Sequence, residues 1–142
     1  ADSFIDKVDV KVEFFDGQSV TTTIVSQSLE SLFKEADFIS LHVPAQNGYI
    51  ISKAELAIMK DGVGIVNCAR GGVIDEIALI DALDSGKVGF AGLDVFESEP
   101  KPEIKILMHP KISLTPHIGA ATGEAQDRIG TELAQQIISI LG

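Results

Sequence analysis

The stretch "DGVGIVNCARGGVIDEIALIDALDSGKVGFAGLDVF", residues 61–96, decides the fold. "GVGIVNCA" is a continuous apolar run of strand length, and "VGFAGLDVF" is a second one. Between them lies a turn at Arg70-Gly71-Gly72, then a helical pattern closed near Gly86. Along that pattern Ile77, Ile80 and Leu83 recur at helical spacing and are expected to face the core. Strands without alternation, joined through a helix, indicate a parallel sheet covered on both faces.

The flanking segments extend the theme. "SLESLFKEA" reads as a helix opened by Ser28, and "DFISLHVP" as a buried strand ended by Pro44. "SKAELAIMK" carries Ser52 and Glu55 at capping-box spacing. "KISLTP" is a shorter strand, and "TGEAQDRIGTELAQQIISIL" is a long helix with Ile129, Leu133, Ile137 and Leu141 on one stripe. Only residues 8–25, "VDVKVEFFDGQSVTTTIV", depart from it. They alternate about Asp16-Gly17, which predicts a hairpin closed by a type I′ turn with positive φ at both central residues. The expected fold class is α/β, a doubly wound parallel sheet of Rossmann-like type.

The chain has 142 residues, the size of one domain. Its 21 acidic residues against 11 Lys and Arg give a formal charge of -10, which argues against nucleic acid or an anionic membrane surface as partner. Cys68 is the single cysteine, so no internal disulfide forms, which suits a reducing, cytoplasmic compartment. At the end of an apolar strand, Cys68 is expected to be buried and inert. No apolar run approaches membrane-spanning length, and there is no secretory pattern.

In open α/β sheets, ligands bind at the carboxyl ends of the strands. There the sequence places His42, Val43 and Pro44; then Arg70; then Asp94, Glu97 and Glu99; then His117. Arg70 suits bidentate capture of a carboxylate, although position alone leaves it evenly divided between that and a surface ion pair. Glu99 beside His117 would fix the imidazole tautomer and raise its basicity, whereas a lone glutamate in "ESEP" is most often a solvated loop acid. Metal ligation is disfavoured, because His42, His109 and His117 lack the spacing of a zinc helix. The small residues after His117 let backbone approach a ligand, with helix-start N–H groups to offer, unless they are merely packing.

"NCARGGVIDEIALIDALDSGKVGFAGLDVFESEP" followed by "HPKISLTPHIGAATGEAQDRIG" resembles the nucleotide-binding domain of the D-isomer-specific 2-hydroxyacid dehydrogenases. Within that family, "CARGG", "LDVF", "EP", "HIGAAT" and "EAQ" are most similar to the phosphoglycerate dehydrogenase branch. The resemblance runs from about Ser28 to the C-terminus.

It implies NAD as cofactor and a small 2-hydroxy or 2-oxo acid as substrate. For the named branch that means oxidation of 3-phosphoglycerate to 3-phosphohydroxypyruvate, toward serine; a symmetric homodimer is the usual expectation for such enzymes. The catalytic residues would be Arg70, Glu99 and His117, with Arg70 and His117 touching the substrate. Asp94 would bind the nicotinamide carboxamide. Cys68, Ala69 and Arg70, together with His117, Ile118, Gly119 and Ala120, would line the nicotinamide through backbone groups. Val43 and Pro44 would pack along the cofactor. Asp2 matches the acidic residue that binds the adenosine ribose, although a disordered terminal aspartate is an equal reading of it.

Two parts of the family pattern are missing from the chain: the G-x-G-x-x-G turn with its first strand, and the substrate-binding domain. The expectation is therefore that residues 1–142 are a partial NAD-binding domain from a dehydrogenase roughly twice as long. Without its first strand, the sheet is expected to show an unpaired edge and an open apolar face. An NAD(H)-sensing module of corepressor type, or a fragment inactive by itself, are the competing expectations.

Overall fold

The computed structural model describes residues 6–45 and 47–141. Asp2 lies outside them. Two antiparallel strands, β1 (Lys7–Glu13) and β2 (Ser19–Val25), come first. They are followed by α1 (Leu29–Glu35), β3 (Phe38–Leu41), α2 (Lys53–Ile58), β4 (Val63–Asn67), α3 (Glu76–Ser85), β5 (Val88–Leu93), α4 (Ile104–Leu107), β6 (Ile112–Leu114) and α5 (Gly123–Leu141). Strands β3 to β6 form a parallel sheet in sequence order, as the apolar runs predict. The short α4 has no counterpart in the sequence reading.

Register separates the faces of this sheet. Ile39, Ile65 and Ala91 lie side by side, as do Leu41, Asn67 and Leu93, and all of them are buried. Against them pack Phe33, Leu56, Leu79, Leu83 and Ile106, from the helices. The opposite face sets Phe38, Gly64 and Phe90 in a row, with Phe38 73% exposed and its ring 6.1 Å from that of Phe90. Among the described residues the helices thus cover one face rather than both, and the Phe38 and Phe90 row is the expected open apolar face. Among the described residues β3 is an edge strand, in keeping with the expected open edge.

Local sequence explains the starts of α1, α2 and α3 and the end of α3. The Ser28 hydroxyl caps α1 by accepting from Ser31 N–H, and Ser52 N–H donates to Glu55 at 2.9 Å. Asp75 caps α3 by accepting from Ala78 N–H, and Gly86 ends it in the left-handed conformation.

Three expectations change. Only Gly17 of the hairpin turn has positive φ, Gly17 N–H donates to Phe14 O, and Phe14 N–H donates to Gln18 O. This is a three-residue loop ending in a left-handed glycine, not a type I′ turn. Ile77 is 70% exposed, because α3 buries Glu76, Ala78, Leu79, Ala82 and Leu83. The α5 stripe of Ile129, Leu133, Ile137 and Leu141 exists, yet α5 buries no residue.

Candidate active site

Each strand-end loop is tied to the residue that closes its strand. At the end of β4, buried Asn67 accepts from Ala69 N–H and donates to the Arg70 carbonyl, both at 3.1 Å. This side chain shapes the loop that presents Arg70. The Arg70 guanidinium is exposed and donates at 2.6 Å to the Ala69 carbonyl. Cys68 is also exposed, which corrects the buried reading: the turn begins directly after Asn67 and carries it out of the sheet. Gly71 approaches so closely that a Cβ would lie 1.8 Å from the Phe96 carbonyl oxygen.

Just after β5, Asp94 is 5% exposed. Its Oδ1 accepts from the Thr115 hydroxyl at 2.5 Å and from Ile118 N–H at 2.9 Å, and its Oδ2 from Gly119 N–H at 2.9 Å. Burial pushes this carboxyl up, but the Thr115, Ile118 and Gly119 donors and the nearby His117 hold it below its ordinary value. The N–H groups expected to serve a ligand at Ile118 and Gly119 are therefore already spent on Asp94. A carboxylate has about four lone-pair sites, so one remains on Oδ2 for an amide donor.

These bonds fold the 115–119 loop over Asp94 and hold His117 at φ +55, the sole non-glycine residue with positive φ among those described. His117 Nδ1 lies 2.8 Å from Glu99 Oε2, and Glu99 Oε1 accepts from Phe96 N–H at 3.0 Å. The His117 bond and then the Phe96 N–H hold the Glu99 carboxyl below its usual range. An ionised carboxylate can only accept, so Nδ1 carries a proton, and in the neutral ring the lone pair is then on Nε2. Beside the pair opens an apolar cavity of about 430 Å³, walled by Phe96, Pro100, Pro102, Leu107 and Leu114. That volume is ample for a small ligand.

Behind the site, the loop after Arg70 is clasped to the segment after β5. Glu76 N–H donates to Glu97 at 3.0 Å, Glu97 N–H donates to Glu76 at 2.8 Å, and the Tyr49 hydroxyl reaches Glu97 at 3.4 Å. Burial raises the Glu76 carboxyl, only partly offset by the Glu97 N–H. A raised carboxyl makes ionisation unfavourable to folding at neutral pH. Glu76→Gln keeps an acceptor for Glu97 N–H and should raise the thermal midpoint at pH 7 by roughly 2–4 °C. The gain should vanish on acidification through the Glu76 pKa, which melting curves across pH would show.

Of the residues expected to act, Arg70, Asp94, Glu99 and His117 stand on adjacent strand ends. The backbone joins these ends, through Asp94 N–H to Asn67 O and Thr115 N–H to Leu93 O, each at 3.0 Å. Val43 packs at the margin of the core, and Pro44 is exposed beyond β3. His42 bonds Ser40 at 2.7 Å and takes no part in the His117 cluster. The sequence reading missed Asn67 and Thr115, although a polar residue ending an apolar strand is a visible signal for Asn67. Among the described residues, no group of three or more His, Cys, Asp or Glu is placed to hold a metal. Among the described residues, no helix is long and apolar enough to cross a membrane.

Comparison with known proteins identifies the family. Over 141 residues the chain is 49% identical to a hydroxypyruvate reductase of Thermotoga maritima, covering 96% of this chain and 42% of the relative. It is 49% identical over 115 residues to a D-3-phosphoglycerate dehydrogenase of Methanocaldococcus jannaschii, covering 80% of this chain and 22% of that one. Among solved structures, a glyoxylate reductase from Paecilomyes thermophila superposes with a TM-score of 0.68 at 47% identity, over 74% of this chain and 33% of its own. The chain thus spans less than half the length of these relatives. Residues 4–119 match the family described as D-isomer specific 2-hydroxyacid dehydrogenase, NAD binding domain, and the chain belongs to that family.

Proposed function

We propose that this chain is part of the NAD-binding domain of a dehydrogenase that oxidises a D-2-hydroxy acid, with 3-phosphoglycerate as the favoured substrate. NAD would supply the hydride acceptor. The observation that carries the proposal is the His117–Glu99 pair, 2.8 Å apart through Nδ1, on the strand edge that also presents Arg70.

Each side chain then has a task. The Arg70 guanidinium binds the substrate carboxylate through two parallel hydrogen bonds, leaving its contact with the Ala69 carbonyl. His117 Nε2 takes the hydroxyl proton as the hydride departs, and returns it in the reducing direction. Glu99 holds the ring on Nδ1 and stabilises the imidazolium that forms. The remaining Oδ2 lone pair of Asp94 would hold the carboxamide of NAD, with backbone groups at Cys68, Ala69, Ile118 and Ala120 available to line the nicotinamide. Val43 and Pro44 would flank the cofactor, and Asp2 would bind its ribose. The remainder of the domain and the substrate-binding domain belong to a longer protein, which we expect to be a cytoplasmic homodimer.

The similar proteins act, by name, on hydroxypyruvate, phosphoglycerate and glyoxylate, so the substrate is chosen by assay. Full-length protein is supplied with NAD and each of several D-2-hydroxy acids, 3-phosphoglycerate among them, and NADH is followed. Turnover greatest with 3-phosphoglycerate supports the proposal. Turnover greatest with another 2-hydroxy acid replaces the substrate and keeps the chemistry. NAD binding without turnover on any of them points to a sensing module instead. Arg70→Lys should raise KM for the substrate roughly 10- to 100-fold with a smaller change in kcat, since a lysine cannot make the two-pronged contact. An unchanged KM removes Arg70 as the anchor.

A further inference from the structure

We propose that the free edge of β1 pairs, antiparallel and about a two-fold axis through Val10, with β1 of a second copy of this chain. The β1–β2 hairpin is a sheet of its own, and among the described residues no other strand joins it. Its own hydrogen bonds show which way β1 faces. Phe14 N–H donates to Gln18 O at 2.8 Å at one end, and Ser26 N–H donates to Asp6 O at 2.7 Å at the other. Bonded pairs alternate along an antiparallel ladder. The backbone groups of Val8, Val10 and Val12 therefore point to β2, and those of Lys7, Asp9, Lys11 and Glu13 point outward.

Only outward-facing residues can bond across a new edge, so a two-fold axis must fall on a residue of β1. Centred on Val10, Lys7 lies opposite Glu13 of the second copy and Asp9 opposite its Lys11. Val8 then faces Val12, and Val10 faces itself. Centred on Asp9, Lys7 meets Lys11 and Asp9 meets itself. Centred on Lys11, Asp9 meets Glu13 and Lys11 meets itself. Axes at Val8 or Val12 also oppose unlike charges but overlap less than half of the strand. Hydrogen-bond phase and charge together select Val10. Charges that protect an edge from pairing repel a second copy, whereas "KVDVKVE" is complementary to itself read backwards.

The apolar face of the hairpin supports the same occupant. Val8, Val10, Val12, Val20 and Ile24 share one face, with Val8 and Val12 each 47% exposed and Ile24 52%. A two-stranded hairpin is marginal in water, while a four-stranded sheet with a continuous apolar face is not. The contacts now made within one copy, Lys11 to Glu13 at 2.6 Å and Thr23 to Asp9 at 2.6 Å, lie on the opposite face from the valines and can be shared across the axis.

The test is cross-linking in the full-length protein on a Cys68→Ser background. Residues opposed across a non-bonded pair have Cα atoms about 4.5 Å apart, within disulfide reach. Val10→Cys should form an inter-chain disulfide under mild oxidation at least tenfold faster than Thr22→Cys, which shares the apolar face but lies away from the axis. Adding Lys11→Pro, which removes an outward N–H and none of the hairpin's own, should abolish the difference. Asp9→Lys should slow the Val10→Cys reaction at least tenfold, and Asp9→Lys with Lys11→Asp should restore it. If Val10→Cys does not outpace Thr22→Cys, the edge is bare or taken by another strand, and the proposal fails. A cross-link indifferent to Lys11→Pro and to Asp9→Lys also overturns it.

Discussion

His117→Ala in the full-length protein should lower kcat for NADH formation by about 10²- to 10⁴-fold, the usual worth of a positioned acid–base group. NAD binding should persist, because the contacts expected to hold the cofactor come from the backbone and from Asp94. The left-handed conformation complicates such a variant, since alanine at φ +55 inherits the strain that histidine bears. His117→Gly separates the two effects. Glycine relieves roughly 1 kcal/mol of backbone strain while lacking the imidazole just as alanine does. Equal losses of turnover in both variants, with the glycine form the more stable, assign the loss to proton transfer. Unchanged turnover in either removes His117 from the mechanism.

Asp94→Ala should be the most damaging change to the loop itself. It leaves the Thr115 hydroxyl and the Ile118 and Gly119 N–H groups without their acceptor, at a cost of roughly 2–4 kcal/mol. Activity should fall as well, since these bonds hold the turn on which His117 sits. The pH dependence gives a second, independent reading. The folded Asp94 carboxyl is held below 3.8, so its stabilising share is complete above that pH and is lost as pH falls through the lower folded value. Urea midpoints for Asp94→Ala and the parent should therefore differ most near neutrality and converge on acidification below about pH 4. A gap independent of pH would mean that the loss is one of packing and not of the ionised acceptor.

The parallel sheet was legible because β4 and β5 carry no alternation, and the polar residues at their ends pointed to one edge. The His117–Glu99 pair was also foreseen in kind, though its 2.8 Å geometry was not. What failed to show in the sequence depended on contacts between distant segments. Ile77 falls on a helical repeat with Ile80 and Leu83, yet the sheet is met by the Leu79 and Leu83 side of α3. Cys68 looked like one more buried strand residue, because the apolar Cys68 and Ala69 continue the run past Asn67, the polar residue that ends β4. The N–H groups of Ile118 and Gly119 looked free because the carboxylate that claims them lies 24 and 25 residues earlier. The Asp16-Gly17 turn needed only one positive φ, and the strand alternation on either side is the same for both loop types.

The exposed stripe of α5 bears on how the assembled protein can be watched. A helix of 19 residues that buries nothing against its neighbours draws little protection from them. Its amides should exchange with deuterium far sooner than those of β4 and β5, unless another part of the molecule lies on Ile129, Leu133 and Ile137. Slow exchange along α5 in the full-length protein, beside fast exchange in residues 1–142 alone, would make this helix an internal gauge of whether its covering surface is seated.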